Sequence, residues 1–430
     1  MAESPDIGPA ADAADPASAG DSVFLARQPI LDRTERQVGY ELLFRNGNCE
    51  EANVVDGRAA TAHVISNAFT HLSISSILGP YRAFINVDRD FLHDEAIRLM
   101  PAEKVVVEVL EGSLVTPEVV VRCGELKSFG YTLALDDFSR ITADYRPLLP
   151  LISIIKVDLT LVPDDELPAL VGQLRPLAET LLAEKVETRE EYERCRDLGF
   201  DLFQGYYFCR PIIVSGRKLQ PGQLATLKLI SMLAHDAETH ELERTLKEDA
   251  ALSMSMLRLV NSVGMRTRTT ISSLRQAIVI LGRQQFGRWL QLLLFADPAN
   301  PDANPLLTLA ATRGRLAELI AERVRPGDHR MRDAAYMAGV LSLAPTLLGR
   351  PLEEILPLLR LAPPLQEALL TGKGMLGAIL AMSEALESGI PEELQAAHER
   401  LGPVSAEALN ACHGEAIAWA NQIGQATTED

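Results

Sequence analysis

Cysteine is scarce in this chain: there are five among 430 residues, and Cys49, Cys123, Cys195, Cys209 and Cys412 lie far apart without one Cys-x-x-Cys pair. An odd, scattered set argues against a disulfide framework and a thiolate zinc site, and points to reduced thiols in the cytoplasm. Long apolar runs are missing too. Stretches such as Leu290–Ala296 fall far short of the roughly 20 residues that span a bilayer, so membrane insertion is not expected. Positive charge is also short, with 41 Lys plus Arg against 59 Asp plus Glu and a net charge of −18. That excess repels phosphate backbones, and direct nucleic-acid binding is not expected. Residues 1–22 are rich in Ala, Pro, Ser and Asp; they lack the basic and apolar segments of a secretory signal and read as a disordered tail.

What is present is 47% hydrophobic, enough for more than one core. Across residues 23–211, aliphatic runs (Ala83–Asp88, Lys104–Leu110, Tyr131–Asp136, Ile152–Asp158) alternate with segments of helical spacing such as Pro117–Phe129 and Leu167–Leu182. Such runs read as buried parallel strands in repeated βα units, the pattern of an α/β TIM-like barrel. Residues 212–222 carry the Pro and Gly of a linker, and β-branched runs then fade. Residues 223–420 read as an all-α domain, with helices at Leu224–His235, Glu241–Asp249, Ala251–Ser262, Ile271–Leu281 and Gln285–Phe295, and residues 421–430 as a second tail.

Polar residues stand within or at the ends of the strand-like runs: Glu41, Asn86, Glu108, Asp136, Asp137, Lys156, Glu184 and Gln204. In a parallel barrel the strand C-termini converge on one mouth, so these residues are expected to share a pocket. Hard oxygen ligands of this kind suit Mg²⁺ or Mn²⁺, and a carboxylate shared by two cations suits hydrolysis of a phosphodiester. Without a cation, so many carboxylates repel one another.

The ordered blocks Ala26–Arg33, Gly39–Arg45, Phe84–Val87, Glu108–Glu111, Ala134–Phe138, Lys156–Asp158, Ala183–Thr188 and Gln204–Tyr206 together resemble the EAL domain, a family of cyclic di-GMP phosphodiesterases. The resemblance implies that Glu41, Asn86, Glu108, Asp136 and Asp137 hold the metals, that Lys156 orients or deprotonates the attacking water, and that Glu184 completes the catalytic set. It also places Gln28, Arg45 and Gln204 at the substrate and makes Glu111 a brace for the loop after the paired aspartates. Two departures stand out. The Gly-rich loop that couples metal binding to dimerisation in active members is replaced by Ser139–Tyr145, which has no Gly. Lys185 stands where the family has Gly, and its charge is expected to disturb or partly replace the metals.

Residues 224–296 resemble the HDOD domain, a helical relative of the HD phosphohydrolases, on Glu248–Ser262 and Ile271–Gly282. The segment Ala335–Leu343 lacks the His-Asp ligands of a working HD site, and His235-Asp236 reads as a helix end, so this half is expected to be metal-free and to contact a protein partner. Met232, Met254, Met256 and Met265 are read chiefly as core, with an adaptable binding face as the alternative. Arg258, Arg266, Arg268, Arg275, Arg283 and Arg288 suit a solvated face or contact with nucleotide or the acidic barrel. Two readings of the whole follow. One is a regulator with weak or no turnover, possible nucleotide sensing and possible homodimerisation; the other is an active metal-dependent phosphodiesterase that gives the linear dinucleotide pGpG.

Overall fold

The computed structural model describes residues 23–46, 78–109, 115–208, 221–235, 237–249, 252–254, 256, 273–295, 305–359 and 361–426. The expected tail at 1–22, the linker through 220, Glu111, Asp236, Met265, Arg258, Arg266, Arg268 and most of Ala251–Ser262 lie outside the described residues, as does the side chain of Arg45.

Eight strands close a barrel in sequence order: β1 (Val23–Asp32), β2 (Gln37–Asn46), β3 (Arg82–Val87), β4 (Val105–Val109), β5 (Thr132–Phe138), β6 (Ile154–Asp158), β7 (Thr180–Glu184) and β8 (Leu202–Gln204). From β2 to β8 every neighbouring pair is parallel, whereas β1 runs antiparallel to both β2 and β8. The reason is local, because only four residues join β1 to β2 and a parallel crossover needs a dozen or more. Asp32 fastens that turn, its carboxylate accepting from the backbone N–H of Thr34 and Arg36.

Side chains alternate across each strand, and that period builds the mouth. Ile30, Phe84, Val106, Ala134, Ile154 and Leu182 fill the barrel interior as one apolar layer. Two residues further toward the mouth on the same strands stand Gln28, Asn86, Glu108, Asp136, Lys156 and Glu184. The opposite faces (Ile85, Val107, Leu135, Ile155, Leu181) pack outward in a second core with Val119, Cys123 and Leu126 of the helix Pro117–Ser128.

Among the described residues four α-helices flank the barrel: α1 (Arg89–His93), α2 (Pro117–Ser128), α3 (Leu167–Leu174) and α4 (Arg189–Leu198). The helix expected over Leu167–Leu182 stops at Leu174 and Thr180–Glu184 becomes β7. Pro176 explains the stop, since it has no N–H to continue the helical ladder and its ring crowds the carbonyl four residues earlier. Cys123, Cys195 and Cys412 are free, buried thiols.

The second half is helical among the described residues: α5 (Pro221–Ala234), α6 (Thr239–Lys247), α7 (Leu274–Leu293), α8 (Pro305–Val324), α9 (His329–Leu341), α10 (Ala344–Leu348), α11 (Leu352–Leu359), α12 (Pro363–Thr371), α13 (Gly374–Ser388), α14 (Pro391–Leu401) and α15 (Ala406–Ala426). Gly282, at φ 73°, breaks α7 into the two segments the sequence suggests. The tail expected from 421 is instead the end of α15, where Asn421 is buried. Met256 is buried in the core, Met232 packs against it, and Met254 is exposed. Helices α8 and α9 cross closely: a Cβ on Gly339 would stand 2.6 Å from the Arg313 carbonyl oxygen. The two halves meet along β1, which packs on α13 and α15. Gly389, at φ 65°, lies so near Ala26 that a Cβ there would be 2.8 Å from the alanine methyl.

Candidate metal centre

Lys156 is the centre of the mouth. It is wholly buried, and its Nζ lies 2.6 Å from Glu108 Oε1, 2.6 Å from Asp136 Oδ1, 2.9 Å from Glu184 Oε1 and 3.5 Å from Glu41 Oε2. Asn86 Nδ2 donates to Glu41 Oε1 at 2.7 Å. Gln204 Nε2 donates to Gln28 Oε1 at 2.7 Å and also to Glu41 Oε2. All the expected site residues whose side chains are described therefore belong to one connected cluster, completed by Asp137.

Asp137 joins by breaking the alternation of β5. Successive strand residues point to opposite faces, but the register of β5 against β6 slips between Leu135 and Phe138, and Asp137 adopts φ 51°. This irregularity turns two adjacent carboxylates toward the mouth. Oxygen atoms of Glu41, Glu108 and Asp136 lie within 4.8 Å of one another, as do those of Asp136, Asp137 and Glu184. Asp136 belongs to both groups.

Charge balance in this cluster is poor. Five carboxylates surround one ammonium, and the buried oxygens Glu108 Oε2 and Glu184 Oε2 accept no hydrogen bond. Burial pushes the Glu108 carboxyl well above its usual range and Glu184 up to about 8, with the other carboxylates adding to the effect and Lys156 opposing it. Burial alone would lower Lys156, but Glu108, Glu184, Glu41 and Asp136 together hold it well above the ordinary lysine value. Two carboxylate groups with oxygens within 4.8 Å of one another, a net negative charge and two buried oxygens that accept no hydrogen bond fit a divalent cation or a pair of them.

Lys185 stands at the edge of the cluster. Its ammonium pairs with the buried Asp158 carboxylate, which also accepts from the backbone N–H and hydroxyl of Thr160. From there its charge also acts on Asp137 and Glu184, and Lys185 takes φ 55°, a conformation that costs a non-Gly residue about 1 kcal/mol. Asp158 is the participant that sequence reasoning left without a role. Its signal was the alternation of Ile154, Lys156 and Asp158 on one face of β6. The glycine-free loop after β5 holds no positive φ, and Phe138 and Tyr145 brace it with ring centroids 5.6 Å apart.

In the helical half the arginines have local partners. Arg275 pairs with Glu243 at 2.9 Å, Arg283 donates to the Ala237 carbonyl, and Arg288 pairs with Glu318 at 2.5 Å and Asp333 at 3.1 Å. These three are committed within their own half instead of forming an open basic face. His235 Nδ1 lies 2.8 Å from the Ser231 carbonyl oxygen, a helix-end contact.

Comparison with known proteins finds two domains in succession. The EAL domain matches residues 12–211 and the HDOD domain residues 225–344. The chain is 32% identical over 410 residues to the uncharacterized protein YuxH of Bacillus subtilis, covering 93% of this chain and 98% of that one. It is 32% identical over 374 residues to the cyclic di-GMP phosphodiesterase CdgJ of Vibrio cholerae, covering 85% of each. Among solved structures, a standalone versatile EAL protein from Vibrio cholerae O395, in its c-di-GMP bound form, is similar at a TM-score of 0.36 and 24% identity, covering 45% of this chain and 93% of that one.

Proposed function

The chain belongs to the family that joins an EAL domain to an HDOD domain, and on that premise we propose that it is a cytoplasmic cyclic di-GMP signalling regulator: the acidic mouth binds the nucleotide with weak or no turnover, and the helical half contacts a protein partner. The observation that carries this reading is the pair of carboxylate groups sharing Asp136, with buried oxygens that lack partners.

Glu41, Asn86, Glu108, Asp136, Asp137 and Glu184 are the residues to hold Mg²⁺ or Mn²⁺. Such ions, when bound, supply Lewis-acid activation of water and charge neutralisation at the phosphate. Lys156 is held protonated by its four carboxylate neighbours, so it serves as a donor that orients water and offsets charge, rather than as the base. Gln204 is a positioning residue that ties Gln28 to Glu41. Arg45 suits a phosphate through its planar fork. Slow turnover is supported by the glycine-free Ser139–Tyr145 segment, beside the ligands Asp136 and Asp137. The second reading, a fully active phosphodiesterase giving pGpG, is favoured by the complete acid set and by the likeness to CdgJ.

The deciding experiment incubates the purified chain with cyclic di-GMP and Mn²⁺ or Mg²⁺, following pGpG by chromatography and nucleotide affinity by calorimetry. Metal-dependent binding with little pGpG is the expected result. Rapid, stoichiometric conversion selects the second reading, and absence of both binding and conversion defeats both readings.

A further inference from the structure

Between the two halves lies a cavity of about 320 Å³, bounded by β1 and β2 on the barrel side and by α8 and the α13–α14 turn on the other. Most of its charged lining is already matched. Arg313 holds Glu387 at 2.6 Å and Glu384 at 3.2 Å, and Glu393 accepts from the Ser388 hydroxyl at 2.7 Å. Arg27 is different. It is 7% exposed, its Nη2 donates to Thr312 Oγ1 at 3.2 Å, its guanidinium lies 4.0 Å over the Tyr40 ring, and its Nη1 has no hydrogen-bond partner. Among the described residues no carboxylate lies within ion-pair distance of it. The Glu387 carboxylate, already held by Arg313, acts on Arg27 only from beyond ion-pair distance and offsets part of the cost of burying this cation; burial is the main influence lowering its pKa. The remaining wall is largely apolar, with Pro29, Leu309, Ile390 and Phe208.

We propose that this cavity binds a small organic carboxylate, with its anionic end on the Arg27 guanidinium and its apolar body against Leu309 and Ile390. An anion there supplies the direct, hydrogen-bonded partner that Nη1 lacks, and a planar carboxylate matches the guanidinium fork. The apolar wall makes an organic anion a better occupant than a fully hydrated inorganic one. The ligand would touch both halves at once. Gln28, the next residue in β1, lines the same cavity and accepts the Gln204 amide that holds Glu41.

The test uses the full chain in EDTA, with benzoate as probe, benzamide as its neutral counterpart and inorganic phosphate as the bare anion, each titrated by calorimetry. Saturable benzoate binding at least tenfold tighter than benzamide or phosphate is expected. Arg27→Gln should weaken benzoate at least tenfold and leave benzamide unchanged. Because Arg27 also packs on Tyr40, Leu309→Trp provides a second variant, filling the cavity without removing the charge, and it should abolish benzoate binding. Equal binding of benzamide, benzoate affinity unchanged in either variant, or phosphate binding as tightly as benzoate overturns the proposal. None of these readouts involves cyclic di-GMP or a metal, so the result stands apart from the fate of the barrel reading.

Discussion

Both halves of this protein bury charge, but they balance it differently. In the helical half Glu318 is shared by Arg288 at 2.5 Å and Arg315 at 2.7 Å, and Arg315 also reaches Glu415 at 2.5 Å. Each carboxylate there faces at least one guanidinium. In the barrel, Glu41, Glu108, Asp136 and Glu184 share the one ammonium of Lys156, with Asp137 beside them and Lys185, paired to Asp158, at the edge. A balanced network can be structural, because pairing offsets desolvation; an unbalanced one demands a further cation or protons. Charge balance, more than the presence of buried acids, separates the candidate site from the scaffold.

The comparison breaks most sharply if single carboxylates are exchanged in the two halves. Asp136→Asn should weaken Mn²⁺ binding at least 100-fold in calorimetry while leaving metal-free thermal stability equal or higher, since one like charge is removed. Glu318→Gln should do the opposite, destabilising by about 2 kcal/mol in urea by removing the carboxylate that Arg288 and Arg315 share and leaving them Asp333 and Glu415 alone, with Mn²⁺ affinity unchanged. Stability loss in the first variant, or metal loss in the second, would erase the distinction.

Packing offers a smaller contrast. Gly339→Ala drives a methyl to 2.6 Å from the Arg313 carbonyl oxygen and should cost about 2 kcal/mol. The loss should appear in the unfolding of the helical half, read by Trp289 and Trp419 fluorescence, and not in Mn²⁺ affinity. pH sharpens the same division. The Glu184 carboxyl is raised from 4.5 to about 8 by burial first and by neighbouring Asp136 and Glu41, so the metal-free native state binds this proton more tightly than the unfolded chain. That contribution is fully present below about pH 4.5 and is lost as pH rises through about 8. Denaturation in EDTA at pH 5 and pH 8 should show the fall, and Glu184→Gln should flatten it. The smallest effect concerns Lys185→Gly combined with a Gly-rich loop in place of Ser139–Tyr145. It should raise pGpG formation less than tenfold, or about 1 kcal/mol in barrier, by relieving the φ 55° backbone and restoring loop freedom.

Glu41, Asn86, Glu108, Asp136, Lys156, Glu184 and Gln204 were legible as a group because each ends an aliphatic run, and strand alternation leaves little freedom over which face a residue takes. Asp137 was legible only as the neighbour of Asp136; its turn toward the mouth needs the slip between β5 and β6. The pairing of Lys185 with Asp158 was not legible, because Asp158 lies 27 positions away and meets it only when β6 and β7 pair. Pro176 was present as a helix stop inside the Leu167–Leu182 segment, yet apolar periodicity outweighed it.

The sequence by itself determined the strand and helix periods, the change of character after Pro211 and the set of polar residues that the barrel gathers, because these depend on local spacing and on side-chain chemistry. Tertiary structure alone decided that Lys156 stands at the centre of four carboxylates, that Lys185 meets Asp158, and that Arg27 reaches Thr312 across 285 positions beside an interdomain cavity. The physical reason is that burial and charge balance belong to groups brought together from distant parts of the chain, and neither quantity exists until those parts have packed.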